Sequence, residues 1–545
     1  MTEWKSKWIN HKNLGILVAF LHWAIFMLTG YDRLYFVSEM PDGRDKIYRF
    51  LFLPVLLCLW QVIFRVAAGC RRQKTVKRAA IYFLIYSSVM AVFGFFLWPG
   101  TWSWDDIMVL KDARYFTLYP WQHCISSLVQ IFSLQLLPFP GGVVIVQVLI
   151  LSGITGYCIA TLEDMFRAVI HRPVLLRILL FIPFLLPPVI LYNFSPFRAV
   201  LYAYLELLFA VCMVSWFWTR KEMTSGRQIL LVILAILLGT WRSEGIYYIL
   251  IVPFLLLLLG RTVISLRRVV LLSVLTAAGI LGISFANNRA VGSSEYSLVS
   301  TLMPATELVR EADPKEDAEL LGIMNQVIVL DCIYDYPELD GVALYWQGGF
   351  VRDSYSEEAY SVYMKAFAKL VGRYPEVFLK ERVRVFFQGS GLIPDTQRNI
   401  IRDTGTLFEV RDQKAVNERA NYYFVTEAGG YLLYPPQVAL RSVMVRSLGF
   451  TDSNYDPGKL FPVFWNIVTP MIFLILLVIV LLADRKWFLA AVAAGVGCKI
   501  PIIFLTAPGS YFMYYYSIYL VGYMAFIVLI LLLYHKAGSE QKKRK

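Results

Sequence analysis

The sequence predicts an all-α polytopic membrane protein with about twelve transmembrane helices. The 545 residues are 58% hydrophobic and only 17% charged, and their mean hydropathy is +0.57. Several apolar runs approach about 20 residues, the length that crosses roughly 30 Å of hydrocarbon as a helix. The loops between these runs are alternately rich in Lys and Arg, as expected of a chain that crosses a membrane repeatedly.

The apolar runs locate the helices along the chain. The first run follows a basic start and has no small-residue cleavage site after it, which favours a retained signal anchor. We expect membrane spans at residues 14–30, 49–68, 79–98, 141–161, 177–194, 197–218, 228–241, 245–260, 268–286, 460–483, 487–506 and 512–534.

The basic loops predict the orientation of the chain. Lys5, Lys7 and Lys12 precede the first span, five basic residues lie within 71–78, and the chain ends in "KKRK". We therefore expect a multi-pass protein of the plasma membrane with both termini in the cytoplasm. These loops account for the net charge of +13. No soluble basic face is evident, so the expected partner is the lipid bilayer and not nucleic acid.

Two long segments are expected outside the cell, at 99–140 and 287–459. The stretch from Pro120 to Phe139 carries seven polar residues. We interpret it as an amphipathic helix on the outer membrane face, because a span there would place the basic Arg167 loop outside. In the second segment, "PKEDAELLGIMNQVIVL" and "SEEAYSVYMKAFAKLV" show helical spacing after Asp or Ser caps, which predicts a mainly helical domain. The chain thus divides into 1–98 (three spans), 99–140 (acidic loop and interfacial helix), 141–286 (membrane core), 287–459 (outer helical domain) and 460–545 (three spans and a basic tail).

Several common chemistries have no motif in this chain. Its seven cysteines are scattered, mostly within apolar runs, with no CxxC spacing and no paired framework. Walker A, GxGxxG and HExxH patterns are all absent from the sequence. This argues against energy from bound ATP, a nicotinamide cofactor and zincin chemistry.

The layout and two short motifs resemble the GT-C superfamily of membrane glycosyltransferases. The closer likeness is to uncharacterised bacterial GT-C-like membrane proteins with a pattern like P-G-x-x-S-W-D followed by H-P-x-x-H. Here the two parts read "PGTWSWD" (99–105) and "YPWQH" (119–123). Tyr119 replaces the first histidine, so this chain has one histidine in the pattern instead of two. The segment "WRSEGIYY" (241–248) resembles the family's R-x-x-G-x-Y segment. The tyrosine-rich "APGSYFMYYYSIY" resembles the entry to its last span, without the arginine often found there.

The resemblance implies a cell-envelope enzyme of polysaccharide biosynthesis whose donor is a polyprenyl-phosphate-linked sugar. A first-loop carboxylate then acts as general base, and alignment of the motif favours Asp105. A direct displacement needs one base, because the departing lipid phosphate needs no proton. Asp106 would cap the helix, raise its neighbour's pKa or help to hold a divalent cation such as Mg²⁺ or Mn²⁺. The alternative is a solvated acid pair or a helix cap without catalytic function.

Four further charged residues are candidates for substrate binding. Arg242 and Glu244 lie at the outer end of a short span, where arginine suits a phosphate; the alternative is an ion pair of Arg242 with Glu244 or Glu206. Lys499 lies inside a span and either binds the lipid phosphate or extends to the interface. Arg198, at an outer turn, is a third candidate cation and is ranked lower, since outer arginines often meet only lipid headgroups.

One histidine and a group of tyrosines complete the candidates. His123 would polarise the phosphate or the acceptor, although a lone histidine on an amphipathic helix is more often structural. The tyrosines of 511–519 are expected to form an aromatic interface belt instead of a sugar platform.

We therefore expect an inverting glycosyltransferase whose acceptor is a glycan, a glycolipid or a protein. Three alternatives remain open. The first is a polysaccharide polymerase that uses lipid-diphosphate-linked units and paired arginines such as Arg382 and Arg384. The second is a lipid-linked sugar flippase or transporter without catalysis, and the third is a non-catalytic scaffold on the same fold.

Overall fold

The computed structural model describes residues 11–37, 40–167, 172–220, 222–260, 263–291, 296–353, 355–392, 427–433, 436–449 and 460–544. Within these ranges the chain forms helices and turns, together with one isolated bridge between Ile328 and Val351. The all-α fold class is confirmed for this part of the chain.

The helices are numbered in chain order. The first twelve are α1 (His11–Thr29), α2 (Arg44–Arg72), α3 (Lys74–Leu97), α4 (Trp104–Arg114), α5 (Cys124–Leu136), α6 (Pro140–Phe166), α7 (Pro173–Phe181), α8 (Pro187–Asn193), α9 (Arg198–Thr219), α10 (Ser225–Thr240), α11 (Tyr248–Leu259) and α12 (Leu266–Val291). The others are α13 (Tyr296–Glu311), α14 (Ala318–Met324), α15 (Leu330–Asp335), α16 (Gly341–Gln347), α17 (Glu357–Arg373), α18 (Pro375–Gly389), α19 (Val438–Ser447), α20 (Phe461–Phe464), α21 (Val468–Ala483), α22 (Trp487–Gly497), α23 (Lys499–Thr506) and α24 (Tyr516–Arg544).

Many of these helices are apolar enough to enter a membrane. In the described part of the chain, eight candidate spans are long and apolar enough to cross: Arg44–Arg72, Lys74–Leu97, Pro140–Phe166, Arg198–Thr219, Leu266–Val291, Phe461–Ala483, Trp487–Thr506 and Phe512–Lys536. Pro173–Leu185 and Pro187–Asn193 form a further apolar pair bent by 63°. Shorter apolar helices occupy Asn13–Thr29, Cys124–Leu136, Ser225–Thr240 and Ser243–Leu259. Each of these helices except Cys124–Leu136 overlaps a span expected from the sequence.

The centre of the bundle is formed by α6, α9 and α24. In each, 67% of the most apolar stretch is buried inside the protein, compared with 11% for α2 and 22% for α3 and α12. The exposed apolar faces of the outer helices suit contact with lipid chains. Close packing at the centre uses small residues: a Cβ at Gly522 of α24 would lie 2.3 Å from the Pro470 carbonyl oxygen of α21.

The segment 287–459, which is called the outer segment after its expected location, is mainly helical where it is described, through α13 to α19. Ser356 caps α17 as expected, since its hydroxyl accepts a hydrogen bond from the Ala359 amide at 3.1 Å. Asp317 stands at the N-terminus of α14 without a side-chain cap, and its carboxylate pairs instead with Arg373 and accepts from Tyr374 at 2.7 Å. An ion pair therefore holds the end of α17 against the start of α14.

The loop helix α5 is present where the sequence predicts an amphipathic helix. Its polar face is not solvated but buried in the protein, with Ser126, Ser127 and Gln130 all under 10% exposed. The Trp241 indole donates to the Ser126 hydroxyl at 3.0 Å, and the Tyr119 amide donates to the Ser127 hydroxyl at 2.9 Å. The polar side chains thus attach α5 to the rest of the protein, which a sequence pattern alone cannot distinguish from a surface helix.

A buried arginine joins the outer segment to the first loop. Arg441 of α19 is 1% exposed and donates to the Leu97 carbonyl at 2.9 Å and to the Gly100 carbonyl at 3.2 Å. Gly100 itself has φ +122°, and a Cβ there would lie 2.8 Å from the Phe194 carbonyl oxygen. Only glycine fits this turn, so the acidic motif that follows it has a fixed starting point.

We expect Arg441→Leu to lower the thermal unfolding midpoint of the protein in detergent by several degrees. The substitution removes two charge-assisted hydrogen bonds, worth roughly 1.5–3 kcal/mol each, from a buried turn. Arg446→Leu, on the exposed face of the same helix, is the matched control and should leave the midpoint unchanged. Equal midpoints for the two variants would contradict an anchoring role of Arg441.

Candidate functional site

The acidic motif forms the start of α4. Ser103 is the N-cap, and its hydroxyl accepts from the Asp106 amide at 3.3 Å. In return, Asp106 Oδ2 accepts from the Ser103 amide at 3.2 Å and from the Ser103 hydroxyl at 2.7 Å. This reciprocal capping box fixes the first turn of the helix. The capping function weighed for Asp106 from the sequence is therefore the one observed in the structure.

Burial changes the acid–base behaviour of Asp106. The residue is 2% exposed. Desolvation raises the pKa of its carboxyl to about 7, even though hydrogen bonds from Ser103 and Ser195 favour the charged form. The neighbouring charge of Asp105 adds repulsion that raises the pKa further. Two adjacent carboxyls at the site can therefore hold one proton near neutral pH.

Asp105 points to a different set of neighbours. Burial raises the pKa of its carboxyl, whereas the Arg198 guanidinium and the Gln122 amide lower it. Tyr119 lies close enough for the Asp105 charge to raise the pKa of its phenol, which burial raises most. The two halves of the sequence motif, 99–105 and 119–123, thus meet in space. Arg198 is the cation that favours an ionised Asp105.

A polar cavity of about 490 Å³ opens beside these residues. It lies between the N-termini of α5 and α9, the C-termini of α10 and α12, and the outer segment. Among its lining residues are four that the sequence singled out: His123, Arg198, Arg242 and Glu244. Asp105 adjoins the cavity through its interaction with Arg198. Lys499 does not line it.

His123 lines the cavity and carries a buried hydrogen-bond donor. Its Nδ1 accepts from the Ile125 amide at 3.3 Å, which caps α5 and requires an unprotonated Nδ1. Burial and the Arg198 charge lower the pKa of the imidazole to about 4, so the ring is neutral at physiological pH with its proton on Nε2. That Nε2 is buried and has no hydrogen-bond partner among the described residues. The structural and functional roles considered for His123 are compatible, because each uses a different nitrogen.

Gln122 is a cavity residue that the sequence analysis did not single out. The residue is 4% exposed, and its side-chain amide is a hydrogen-bond partner of the Asp105 carboxyl. Gln122 thus connects Asp105 to the cavity that His123 also lines. Buried donors are nearly always paired, so the His123 Nε2–H, which has no partner among the described residues, suits a ligand with acceptor oxygens. A sequence signal for Gln122 was available, because this residue lies directly before His123 in the "PWQH" stretch.

Arg242 is paired, as one of the sequence alternatives proposed. It is 5% exposed and forms an ion pair with Glu244 through its Nε. Its guanidinium also lies over the rings of Tyr202 and Tyr514, at 6.0 and 5.7 Å from their centroids. A negatively charged ligand in the cavity would compete with Glu244 for this arginine.

Lys499 does not extend to the membrane interface. It is 1% exposed, and its Nζ donates to the Glu206 carboxylate at 2.8 Å and to the Ser517 hydroxyl at 3.0 Å. The ammonium also lies 4.1 Å from the Tyr202 ring centroid. Lys499 is thus connected to Arg242 through Tyr202, behind the cavity wall. The sequence could not identify Glu206 as its partner, since 293 residues separate the two.

The tyrosines at and just before the start of the last helix, α24, are also inside the protein. Tyr514, Tyr515, Tyr516 and Tyr519 are at most 8% exposed. The expected interface belt is therefore wrong for these four residues. Stacking explains their burial in part: the Tyr192 and Tyr516 rings lie parallel with centroids 4.6 Å apart.

The described residues do not assemble a protein metal site of three or more His, Cys, Asp or Glu side chains. Asp105 and Asp106 have no third such ligand beside them in the described ranges. A Mg²⁺ or Mn²⁺ ion at this pair would need oxygen ligands of another kind. No family model, no curated protein and no solved structure matches the chain.

We expect Asp106→Asn to stabilise the protein increasingly as the pH rises. Because the folded-state pKa of about 7 exceeds the ordinary value of 3.8, the unfolded chain ionises first, and wild-type stability falls between these two pH values. The variant carries no such charge and should gain up to about 4 kcal/mol over the wild type by pH 7. Thermal unfolding of both proteins from pH 4 to 8 measures this difference. The exposed Asp353→Asn serves as control, and a difference independent of pH would contradict the assignment.

Proposed function

We propose that the protein is a membrane glycosyltransferase of the GT-C type. The observation that supports this best is the polar cavity, which is lined by Arg198, Arg242 and His123 and in which Arg198 also interacts with the Asp105 carboxyl. The donor would be a polyprenyl-phosphate sugar and the acceptor a glycan, glycolipid or protein at the cell surface. A cavity rich in hydrogen-bonding groups suits a sugar phosphate, and the apolar helices below it suit the lipid tail.

We further propose twelve membrane spans, with both termini in the cytoplasm of a plasma-membrane protein. Apolar helices occur at each of the twelve expected positions, although three are short and one is bent. The basic loops at one end of these helices favour a cytoplasmic location for that end. The cavity and the outer segment then face the extracytoplasmic side, where a flipped donor presents its sugar.

In the proposed reaction, Asp105 takes the proton of the acceptor hydroxyl as its oxygen attacks the anomeric carbon. The bond between that carbon and the phosphate oxygen breaks, and its electron pair leaves with the lipid phosphate. The product carries an inverted glycosidic bond. Arg198 favours the ionised form of Asp105 before transfer, and the proton acquired by Asp105 passes to solvent afterwards.

The leaving phosphate would be stabilised by three groups of the cavity. Arg198 and Arg242 supply charge, and the His123 Nε2–H supplies a neutral donor. Arg242 would exchange part of its interaction with Glu244 for the phosphate. Lys499 would support this arrangement, since its ammonium and the Arg242 guanidinium lie against the same Tyr202 ring.

The bent helix pair supports a second candidate, a transporter of lipid-linked sugars. Pro173–Leu185 and Pro187–Asn193 meet at 63°, and broken helices are common at transporter binding sites. The polymerase alternative receives less support from its expected arginines. Arg382 is buried in an ion pair with Glu381 and donates to the Ala507 carbonyl, while Arg384 pairs with Glu307 at 3.1 Å.

We expect Asp105→Asn to reduce sugar transfer by about 10²–10⁴-fold, because it removes the base while keeping the side-chain shape. Purified wild type and variant are incubated with membranes that contain radiolabelled polyprenyl-phosphate sugars and native acceptors, and label in the acceptor is counted. Asp112→Asn, on the same helix, is the matched control and should retain transfer within twofold.

Each other result of this assay has a distinct meaning. Full transfer by Asp105→Asn would leave the enzyme but remove Asp105 as its base. No transfer by the wild type, together with passage of labelled lipid across reconstituted vesicles, would favour the transporter.

We expect the proposed topology to appear in cysteine labelling. In a variant without the seven native cysteines, Lys315→Cys should react in intact cells with a maleimide that cannot cross membranes. Gln73→Cys should react only after the cells are opened. Both positions are exposed to solvent. The reverse labelling pattern would show that the orientation is opposite to the proposed one. Labelling of both cysteines in intact cells would contradict the odd number of spans proposed between the two positions.

A further inference from the structure

A cluster of aromatic rings extends from the cavity to the protein surface. Trp121, which lines the cavity, lies 5.6 Å from the Tyr345 ring in a stacked arrangement and 5.7 Å from the Trp346 ring. Trp346 is 57% exposed. We call these three residues the aromatic cluster. It forms a continuous apolar surface from the interior of a polar cavity to solvent.

The aromatic cluster is held by a rigid support. Tyr345 and Trp346 lie at the end of α16, whose N-terminus is capped by Asp340 through the Ala343 amide at 2.8 Å. Gly341 lets this helix touch α13, because a Cβ there would lie 2.3 Å from the Leu302 carbonyl oxygen. The exposed Trp346 ring therefore stands on an anchored helix, with little conformational entropy to lose on binding.

The cavity next to the cluster is lined by further rings and polar groups. Tyr355 and Tyr360 line it, and so do Glu357 and Asn288. A pyranose ring presents an apolar C–H face and a rim of hydroxyl groups. Flat aromatic surfaces suit the former and carboxylate, amide and phenol groups suit the latter.

We infer that the aromatic cluster, with the adjoining cavity wall, is the subsite that binds a pyranose of the acceptor glycan. This inference rests on the proposed function. The acceptor is favoured over the donor sugar because the cluster reaches solvent at Trp346 on the outer segment. Glu357, itself exposed, would accept hydrogen bonds from the sugar hydroxyls.

The test is direct binding of water-soluble sugars to the full-length protein in nanodiscs, without any donor. Tetrasaccharides of glucose, of N-acetylglucosamine and of galacturonic acid are examined by saturation-transfer NMR and titration. We expect at least one to receive saturation on its ring C–H protons. Trp346→Ala should weaken its binding at least fivefold, whereas Trp346→Phe, which keeps a flat ring, should change it less than twofold. Trp487→Ala, an equally exposed tryptophan at the start of α22, is the control.

Several results would overturn the inference. One is binding by none of the sugars, and another is equal binding by wild type and Trp346→Ala. Displacement of the sugar by decaprenyl phosphate would assign the cluster to the donor. The fluorescence of Trp346 is obtained as the difference between wild type and Trp346→Phe. If brominated lipids quench this fluorescence, the cluster is a membrane anchor instead.

Failure of the subsite and failure of the enzyme are distinguishable. If the subsite is right, Trp346→Ala should raise the acceptor KM in the transfer assay at least fivefold with kcat within twofold. If the variant transfers sugar with an unchanged KM, the subsite is wrong and the enzyme assignment stands. If sugar binding depends on Trp346 but the protein transfers nothing, the subsite stands and the enzyme assignment is wrong.

Discussion

The capping box between Ser103 and Asp106 is the interaction on which the candidate site depends. It uses one carboxylate to begin α4, and so directs the other, Asp105, toward Arg198 and the cavity. The same burial that makes the cap strong makes ionisation of Asp106 costly, which brings its pKa close to neutrality. Helix formation and acid–base chemistry thus have a single structural origin. The fixed turn at Gly100, held by Arg441, places this unit relative to the bundle.

Charge balance is the second constraint, because unpaired charges inside an apolar bundle are expensive. Arg242 with Glu244 and Lys499 with Glu206 form two neutral pairs around the Tyr202 ring. The cavity can therefore contain a buried arginine before any ligand arrives. A phosphate that enters would join a set of charges already in position, which limits the reorganisation needed for binding.

The sequence was most informative where local pattern decides structure. Apolar length located the helices of the bundle, and the Ser356 cap located the start of α17. It was least informative where a partner lies far along the chain. The Glu206 partner of Lys499, the burial of the α5 polar face and the inward position of Tyr516 depend on packing between distant segments. Gln122 was missed because a single glutamine has no periodicity or motif, and only the folded structure shows it beside Asp105.

The contact of Arg441 with Leu97 and Gly100 also bears on the biogenesis of the protein. More than 340 residues separate these partners along the chain. A ribosome must therefore release most of the protein before the turn that precedes the acidic motif receives its last hydrogen bonds. Lys499, still later in the chain, completes the charge pairing behind the cavity. The nascent chain thus inserts its first helices long before the candidate site is assembled, and the contacts around that site are complete only after the final third of the chain has folded against its first.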